Sequence, residues 1–189
     1  MNTSLAPAAA PRERLVHVIQ GQFQISDDPN VVLTTVLGSC VAACVRDPVL
    51  GVGGMNHFLL PGSNDGRNDS MKYGVYSMEL LINGLLQKGA SKGRLVAKLF
   101  GGARVVEGLS DIGRQNAEFA EKFLAAEGIP CLGKSLGGDK PRRIRFWPQS
   151  GRMAQLILDS NDTEVFKSER KRAAVVTPAP AEAGAIELF

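Results

Sequence analysis

Val31-Val32-Leu33-Thr34-Thr35-Val36-Leu37-Gly38-Ser39-Cys40-Val41-Ala42-Ala43-Cys44-Val45-Arg46-Asp47 is the stretch that decides how this chain folds. Two runs rich in β-branched and apolar residues, Val31 to Leu37 and Val41 to Val45, are separated by Gly38-Ser39, where the backbone is free to bend. The surrounding sequence is almost without charge. From Pro29 to Asn64, thirty-six residues, the only formal charges are Arg46 and Asp47, at the Asp47-Pro48 turn. At 22% charged residues overall, a segment of that length should carry about eight. Continuous apolar runs of this kind are strands buried on both faces.

Further strands follow on either side. Leu15 to Ile19, ending before Gly21, and Val52 to Leu60 have strand composition, and so do Leu95 to Phe100, Pro130 to Leu136, Arg142 to Trp147 and Met153 to Leu158. Pro148-Gln149-Ser150-Gly151 has the residues of a hairpin turn. Two segments switch to helical periodicity. After a polar loop from Gly62 to Asp69, the residues Tyr73, Met78, Leu81, Ile82, Leu85 and Leu86 share one face, with Gly89 at the C-cap. From Gly113 to Ala126, Phe119, Phe123 and Leu124 form a second stripe, ended by Gly128-Ile129-Pro130. A strand-rich chain with two helices belongs to the α+β class.

At 189 residues the chain is one domain with extensions: residues 14–168 fold, while 1–13 and the Ala/Pro-rich 169–189 are expected to be flexible. No run of 18 apolar residues and no secretion signal is present, so a cytoplasmic protein is expected. Three cysteines are too few for a disulfide scaffold and read as free thiols. The net charge of +3 is too small to imply polyanion binding by itself. Its distribution is uneven, with Lys134, Lys140, Arg142, Arg143, Arg145 and Arg152 set against the single acid Asp139.

Chemistry concentrates inside the uncharged stretch, where Cys40 and His57 lie with Cys44, Thr34, Thr35 and Ser39. A bend at Gly38 would present Cys40 at the mouth of a pocket. His57 from the following strand could take the thiol proton, and Thr34, six residues before Cys40, could hold the other ring nitrogen. An inert core cysteine is the competing reading. A zinc site from Cys40, Cys44, Cys131, His17 and His57 lacks the paired spacing that structural zinc requires. Gly101-Gly102 is followed by no Gly-Lys-Ser/Thr, so nucleotide binding is unsupported, and no recognition motif accompanies Arg142 to Arg145 and Trp147 to suggest nucleic acid.

Val32-Leu33-Thr34, Leu37-Gly38-Ser39-Cys40-Val41, Asp47-Pro48, Gly53-Gly54-Met55-Asn56-His57 and Leu60-Pro61 together resemble the signature of the CheD family of chemoreceptor glutamine deamidases. Lys72-Tyr73-Gly74, Phe100-Gly101-Gly102-Ala103, Ile112-Gly113-Arg114-Gln115-Asn116 and Gly137-Gly138-Asp139 follow in the family's order, so that the resemblance spans residues 15 to 160. Thr35-Val36 stand where that family leads one to expect Leu-Gly, Gln115 where Arg is usual, and Pro141 where Gly is common.

The resemblance implies a three-layer α/β/β fold like the catalytic domain of cytotoxic necrotizing factor. It also implies a catalytic triad of Cys40, His57 and Thr34, with no metal or organic cofactor. The expected oxyanion donors are backbone N–H groups of the turn Gly38, Ser39, Cys40 and Val41. Expected substrates are glutamines on the acidic cytoplasmic helices of chemotaxis receptors, docked by Arg142, Arg143 and Arg145, with methylesterase activity as a companion. The alternative is a non-catalytic adaptor that binds receptors or a CheC-type phosphatase.

Overall fold

The structure, a computed structural model, describes residues 12–60, 67–104 and 112–159. The expected flexible extensions lie largely outside these residues, and so does most of the polar loop before the first helix.

The described residues form, in chain order, nine strands and two α-helices: β1 (Arg14–His17), β2 (Phe23–Ser26), β3 (Val31–Leu37), β4 (Val41–Asp47), β5 (Val52–Asn56), α1 (Arg67–Gln87), β6 (Val96–Gly101), α2 (Ile112–Ala126), β7 (Cys131–Leu136), β8 (Arg142–Phe146) and β9 (Met153–Ile157). They form two sheets, one in the order β1-β3-β8-β9 and one in the order β2-β5-β4-β6-β7. Most neighbours are antiparallel; β1 with β3 and β6 with β7 are parallel.

The five-stranded sheet is the middle layer. On one side Val41, Ala43 and Val45 of β4 and Leu99 of β6 pack with Met78, Leu81 and Leu85 of α1 and with Phe119, Ala120 and Leu124 of α2. On the other, Ala42 and Cys44 of β4, Met55 of β5 and Phe100 of β6 meet Leu33 and Leu37 of β3 and Ile144 and Phe146 of β8. Helices, middle sheet and outer sheet make the expected α/β/β layering. The lack of charge in β4 and β5 now has a cause: both faces of these strands are covered, and an uncompensated charge there would lose its hydration.

The two exceptions sit at the far end of β4: Arg46, half-buried, donates to Gln149 O and Ser150 O, and Asp47, buried, is fully paired. Its buried carboxylate receives both Nε and Nη2 of Arg94, at 2.6–3.1 Å, and the backbone N–H groups of Val49, Leu50 and Ser91. The Arg94 guanidinium holds this carboxyl well below the usual range. One side chain thereby fastens the β4–β5 turn to the connection leading into β6.

Element bounds depart from the expectations in two places. α1 begins at Arg67 rather than after Asp69, since polar residues are at home in a first turn whose N–H groups lack helical partners. β2 was not anticipated. Its four residues are too short a run to declare themselves, and pairing with β5, Phe23 opposite Asn56 through Ser26 opposite Gly53, creates the strand. Gly54 suits that contact, because a Cβ there would meet Gln24 O and the Leu81 side chain at 2.7 Å.

Candidate active site

β3 ends in the outer sheet and β4 begins in the middle sheet, so Gly38-Ser39-Cys40 is the chain's crossing between layers. Three hydrogen bonds hold it, one on each carbonyl. Ala103 N–H donates to Gly38 O at 2.8 Å, Asn116 Nδ2 to Ser39 O at 2.9 Å, and Gly102 N–H to Cys40 O at 2.8 Å. Gly101 and Gly102 can lie this close only because they carry no side chains. Gly101 has φ of 110° and a Cβ on it would overlap Cys40 O. Asn116 is fully buried and also accepts Leu60 N–H at 2.8 Å, tying the segment after His57 to the crossing from α2.

Beyond the crossing, Val41 and Phe58 exchange both backbone hydrogen bonds, at 3.0 and 2.9 Å. Their register places Ala42 opposite His57 and Cys40 one diagonal step away, all on the face toward the outer sheet. Diagonal side chains on neighbouring antiparallel strands stand about 7–8 Å apart at the backbone and can meet at their tips. The sequence therefore brings Cys40 and His57 to one face of one strand pair, at the end of the space between the sheets.

His57 is 6% exposed. Its Nδ1 lies 2.9 Å from Thr35 Oγ1 and 3.2 Å from the carbonyl of Val18. A carbonyl only accepts, so Nδ1 carries the proton and Nε2 bears the lone pair. That Nε2 is buried and has no hydrogen-bond partner among the described residues. Burial pushes the imidazole down to about 4, against the opposing pull of the Val18 carbonyl. Burial likewise pushes the Cys40 thiol up to about 12, with its own backbone N–H working the other way. The resting pair is thus neutral thiol and neutral imidazole, not the ion pair that a free cysteine's reactivity would call for. The thiol turns to the side chain of Gln20, donating to Oε1 at 3.3 Å, and leaves Nε2 open.

Several expectations need correction. Thr34 does not face the imidazole: its hydroxyl donates to Ile144 O at 2.8 Å, while Thr35 occupies the place beside His57. The reason is the layer crossing. In β3 the odd residues Leu33, Thr35 and Leu37 face the middle sheet, whereas in β4 the even residues face back, so counting six positions through the bend changes faces. Val41 is no oxyanion donor, since its N–H is taken by Phe58 O. Among the described residues, no backbone carbonyl takes the N–H of Ser39 or Cys40. Arg142 is not a surface group. It is 4% exposed, and its guanidinium binds Ser135 O and Oγ and Gly137 O, joining the outer sheet to the end of β7. Arg143 is half-buried and Arg145 exposed, both on the outer face of β8. Cys40, Cys44 and Cys131 are free, and no group of three metal-ligating side chains occurs among the described residues.

Asn116 and Gln20 went unrecognised in the sequence. Asn116 had a legible signal, a polar residue three and four positions before Phe119 and Ala120 on the buried stripe of α2. Gln20 had none, because the turn from Val18 to Gln22 gains its place only by pairing with His57. A cavity of about 700 Å³ borders the crossing at Ser39, between α2 and the loop after β7, but Cys40 and His57 do not line it.

Residues 59–155 match the family model described as CheD chemotactic sensory transduction, just over half of the chain. A probable chemoreceptor glutamine deamidase CheD from Caulobacter sp. (strain K31) is 54% identical over 178 residues, covering 92% of both chains. The chain belongs to the CheD family. Its likeness extends to a second protein of the same description from Acidiphilium cryptum (strain JF-5), 51% identical over 99% of this chain and all of the relative. Among solved structures, the Bacillus licheniformis hypothetical protein YfiH covers 67% of this CheD-family chain, and the chain covers 60% of it, at 14% identity and a TM-score of 0.43.

Proposed function

We propose that this chain deamidates glutamine side chains of chemotaxis receptors by covalent catalysis at Cys40, with His57 as the base and Thr35 holding the imidazole. The observation that carries the reading is the buried, unpartnered Nε2 of His57 on the same face as a cysteine. A desolvated lone pair has no structural use there and is suited to receiving a thiol proton. Family membership and the description of its relatives supply the substrate class.

As the substrate carboxamide enters, Cys40 Sγ turns from Gln20 to the amide carbon, and the S–C bond forms while the thiol proton passes to His57 Nε2. The imidazolium then gives that proton to the departing nitrogen, ammonia leaves, and a thioester remains. Water, deprotonated by the same Nε2, hydrolyses the thioester to glutamate and regenerates the thiol. A methyl ester would form the same thioester with methanol departing, so esterase activity accompanies deamidation in this reading. Because both groups rest neutral, the thiolate exists only during attack.

Receptor signalling helices lie in the cytoplasm, which is where the reading places this chain; no described helix is long and apolar enough to cross a membrane. Arg143 and Arg145, on the outer face of β8, serve as docking groups for acidic helices, and Arg142 as the brace beneath them. A CheC-type phosphatase is a further partner that need not use the thiol. The test is incubation with a receptor cytoplasmic fragment, in which each converted glutamine gains about one dalton and one ammonia is released, the atom balance of amide hydrolysis. Cys40→Ala should abolish both signals; ammonia release that persists in Cys40→Ala would overturn the proposal.

A further inference from the structure

The turn between β1 and β2 is fastened to His57 along its length. Val18 O takes the Nδ1 proton, Gly21 N–H donates to His57 O at 2.7 Å, and His57 N–H donates to Gln22 O at 3.0 Å. Gln22 N–H closes the turn on Ile19 O at 3.0 Å, and Gly21 adopts φ of 85°. Gln20 is exposed on this fastened turn, and its carboxamide oxygen lies at 3.3 Å from the Cys40 sulfur. The side chain is exposed, so the contact is made at the mouth of the site rather than in the core.

The oxyanion formed on attack needs donors, and the crossing supplies few. In a trans peptide the N–H points opposite to the C=O. With Ser39 O committed to Asn116, the N–H of Cys40 is turned toward its own Sγ, whereas Val41 N–H is spent on Phe58. The Cys40 N–H therefore stands beside the sulfur, and the side chain of Gln20 is a polar group at hydrogen-bond distance from it. A half-turn of the terminal torsion exchanges the oxygen and nitrogen of a carboxamide. The amide that accepts from the resting thiol can thus donate once an anion forms in its place.

We propose that Gln20 is a catalytic residue, its Nε2–H donating to the oxyanion of the substrate carboxamide during attack by Cys40. The assignment rests on the deamidase reading. As the S–C bond forms, the carbonyl π pair moves onto oxygen, where Gln20 and the Cys40 N–H receive it. When the pair returns, the C–N bond breaks and ammonia departs with the proton held by His57.

The experiment compares wild type with Gln20→Ala and Gln20→Glu, following ammonia release from a receptor cytoplasmic fragment. In parallel, mass spectrometry follows iodoacetamide alkylation of the Cys40 peptide, which separates it from the exposed Cys131. Alkylation is a displacement at carbon that makes no oxyanion, so it reports the thiol and His57 alone. Loss of one oxyanion donor should lower kcat of Gln20→Ala by about 100-fold with KM and alkylation within about twofold. Gln20→Glu should lose deamidation as far and also alkylate more slowly, because a carboxylate opposes the thiolate. The proposal is overturned if Gln20→Ala keeps kcat within about twofold, if it turns over faster, or if alkylation falls in step with deamidation, the mark of a role in holding the turn. Wild type that releases no ammonia while still alkylating at Cys40 would sink the deamidase reading itself, and the assignment with it.

Discussion

Replacing Thr35 by valine removes one hydroxyl and almost no volume, and the effect can be set against the same change at Thr34. In the wild type Nδ1 of His57 lies between Thr35 Oγ1, at 2.9 Å, and Val18 O, at 3.2 Å. Thr35→Val leaves the longer bond, so the proton stays on Nδ1, but the ring loses its closer support and, in the proposed mechanism, the imidazolium loses a partner. A buried hydrogen bond contributes about 1 kcal/mol net, and one to a charged group about 1.5–3 kcal/mol. Stability should therefore fall by about 1 kcal/mol, and kcat by roughly 10- to 100-fold, since each 1.4 kcal/mol in the barrier is a factor of ten. Thr34→Val gives up a bond to Ile144 O and should lose similar stability while leaving kcat within about twofold. Urea unfolding followed by ammonia release from a receptor fragment reads both quantities. If Thr34→Val were the inactive variant and Thr35→Val the active one, the face assignment made here for β3 would be wrong.

Because burial lowers His57 and raises Cys40, the neutral pair is populated between about pH 4 and pH 12, and kcat/KM should be flat from pH 6 to pH 9; a rise through pH 8.5 would mean a free thiol limits the rate. The same lowering affects stability: the unfolded imidazole binds a proton below 6.5 and the folded one only near 4, so the fold loses up to about 3 kcal/mol as pH falls across that window, and His57→Gln should lose correspondingly less. Asp47→Ala should cost about 2–4 kcal/mol in urea unfolding, because three backbone N–H groups lose their acceptor while the exposed Arg94 can turn to water, without changing the alkylation rate of Cys40 at the opposite end of β4. Asn116→Ala leaves Leu60 N–H and Ser39 O unpaired in the core; a loss of about 2–4 kcal/mol accompanied by a fall in kcat is expected, and full activity at full stability would deny its part in holding the crossing.

The layering was legible because burial on both faces writes itself into composition. The uncharged runs Val31 to Leu37, Val41 to Val45 and Val52 to Asn56 are interior, and Cys40 and His57 stand out beside them as residues that interior packing does not require. Thr35 was missed because a period-two count holds within one sheet and not through a crossing to another. Arg142 illustrates the opposite failure. In a basic run it looked like its neighbours, but alternation along β8 sends it inward with Ile144 and Phe146, and only the carbonyls at the end of β7 make that tolerable. Gln20 and β2 depend on partners about thirty residues away, the His57 and β5 backbones, and local sequence carries no trace of such pairing.

The neutral resting state of Cys40 also bears on how long the protein survives in an oxidising cell. Hydrogen peroxide attacks thiolates far faster than thiols, so the proposed nucleophile, protonated at rest, is shielded from sulfenic acid formation. Cys44 is sealed in the core, which leaves Cys131, on the surface of β7, as the exposed thiol, at the far end of its strand from the proposed nucleophile.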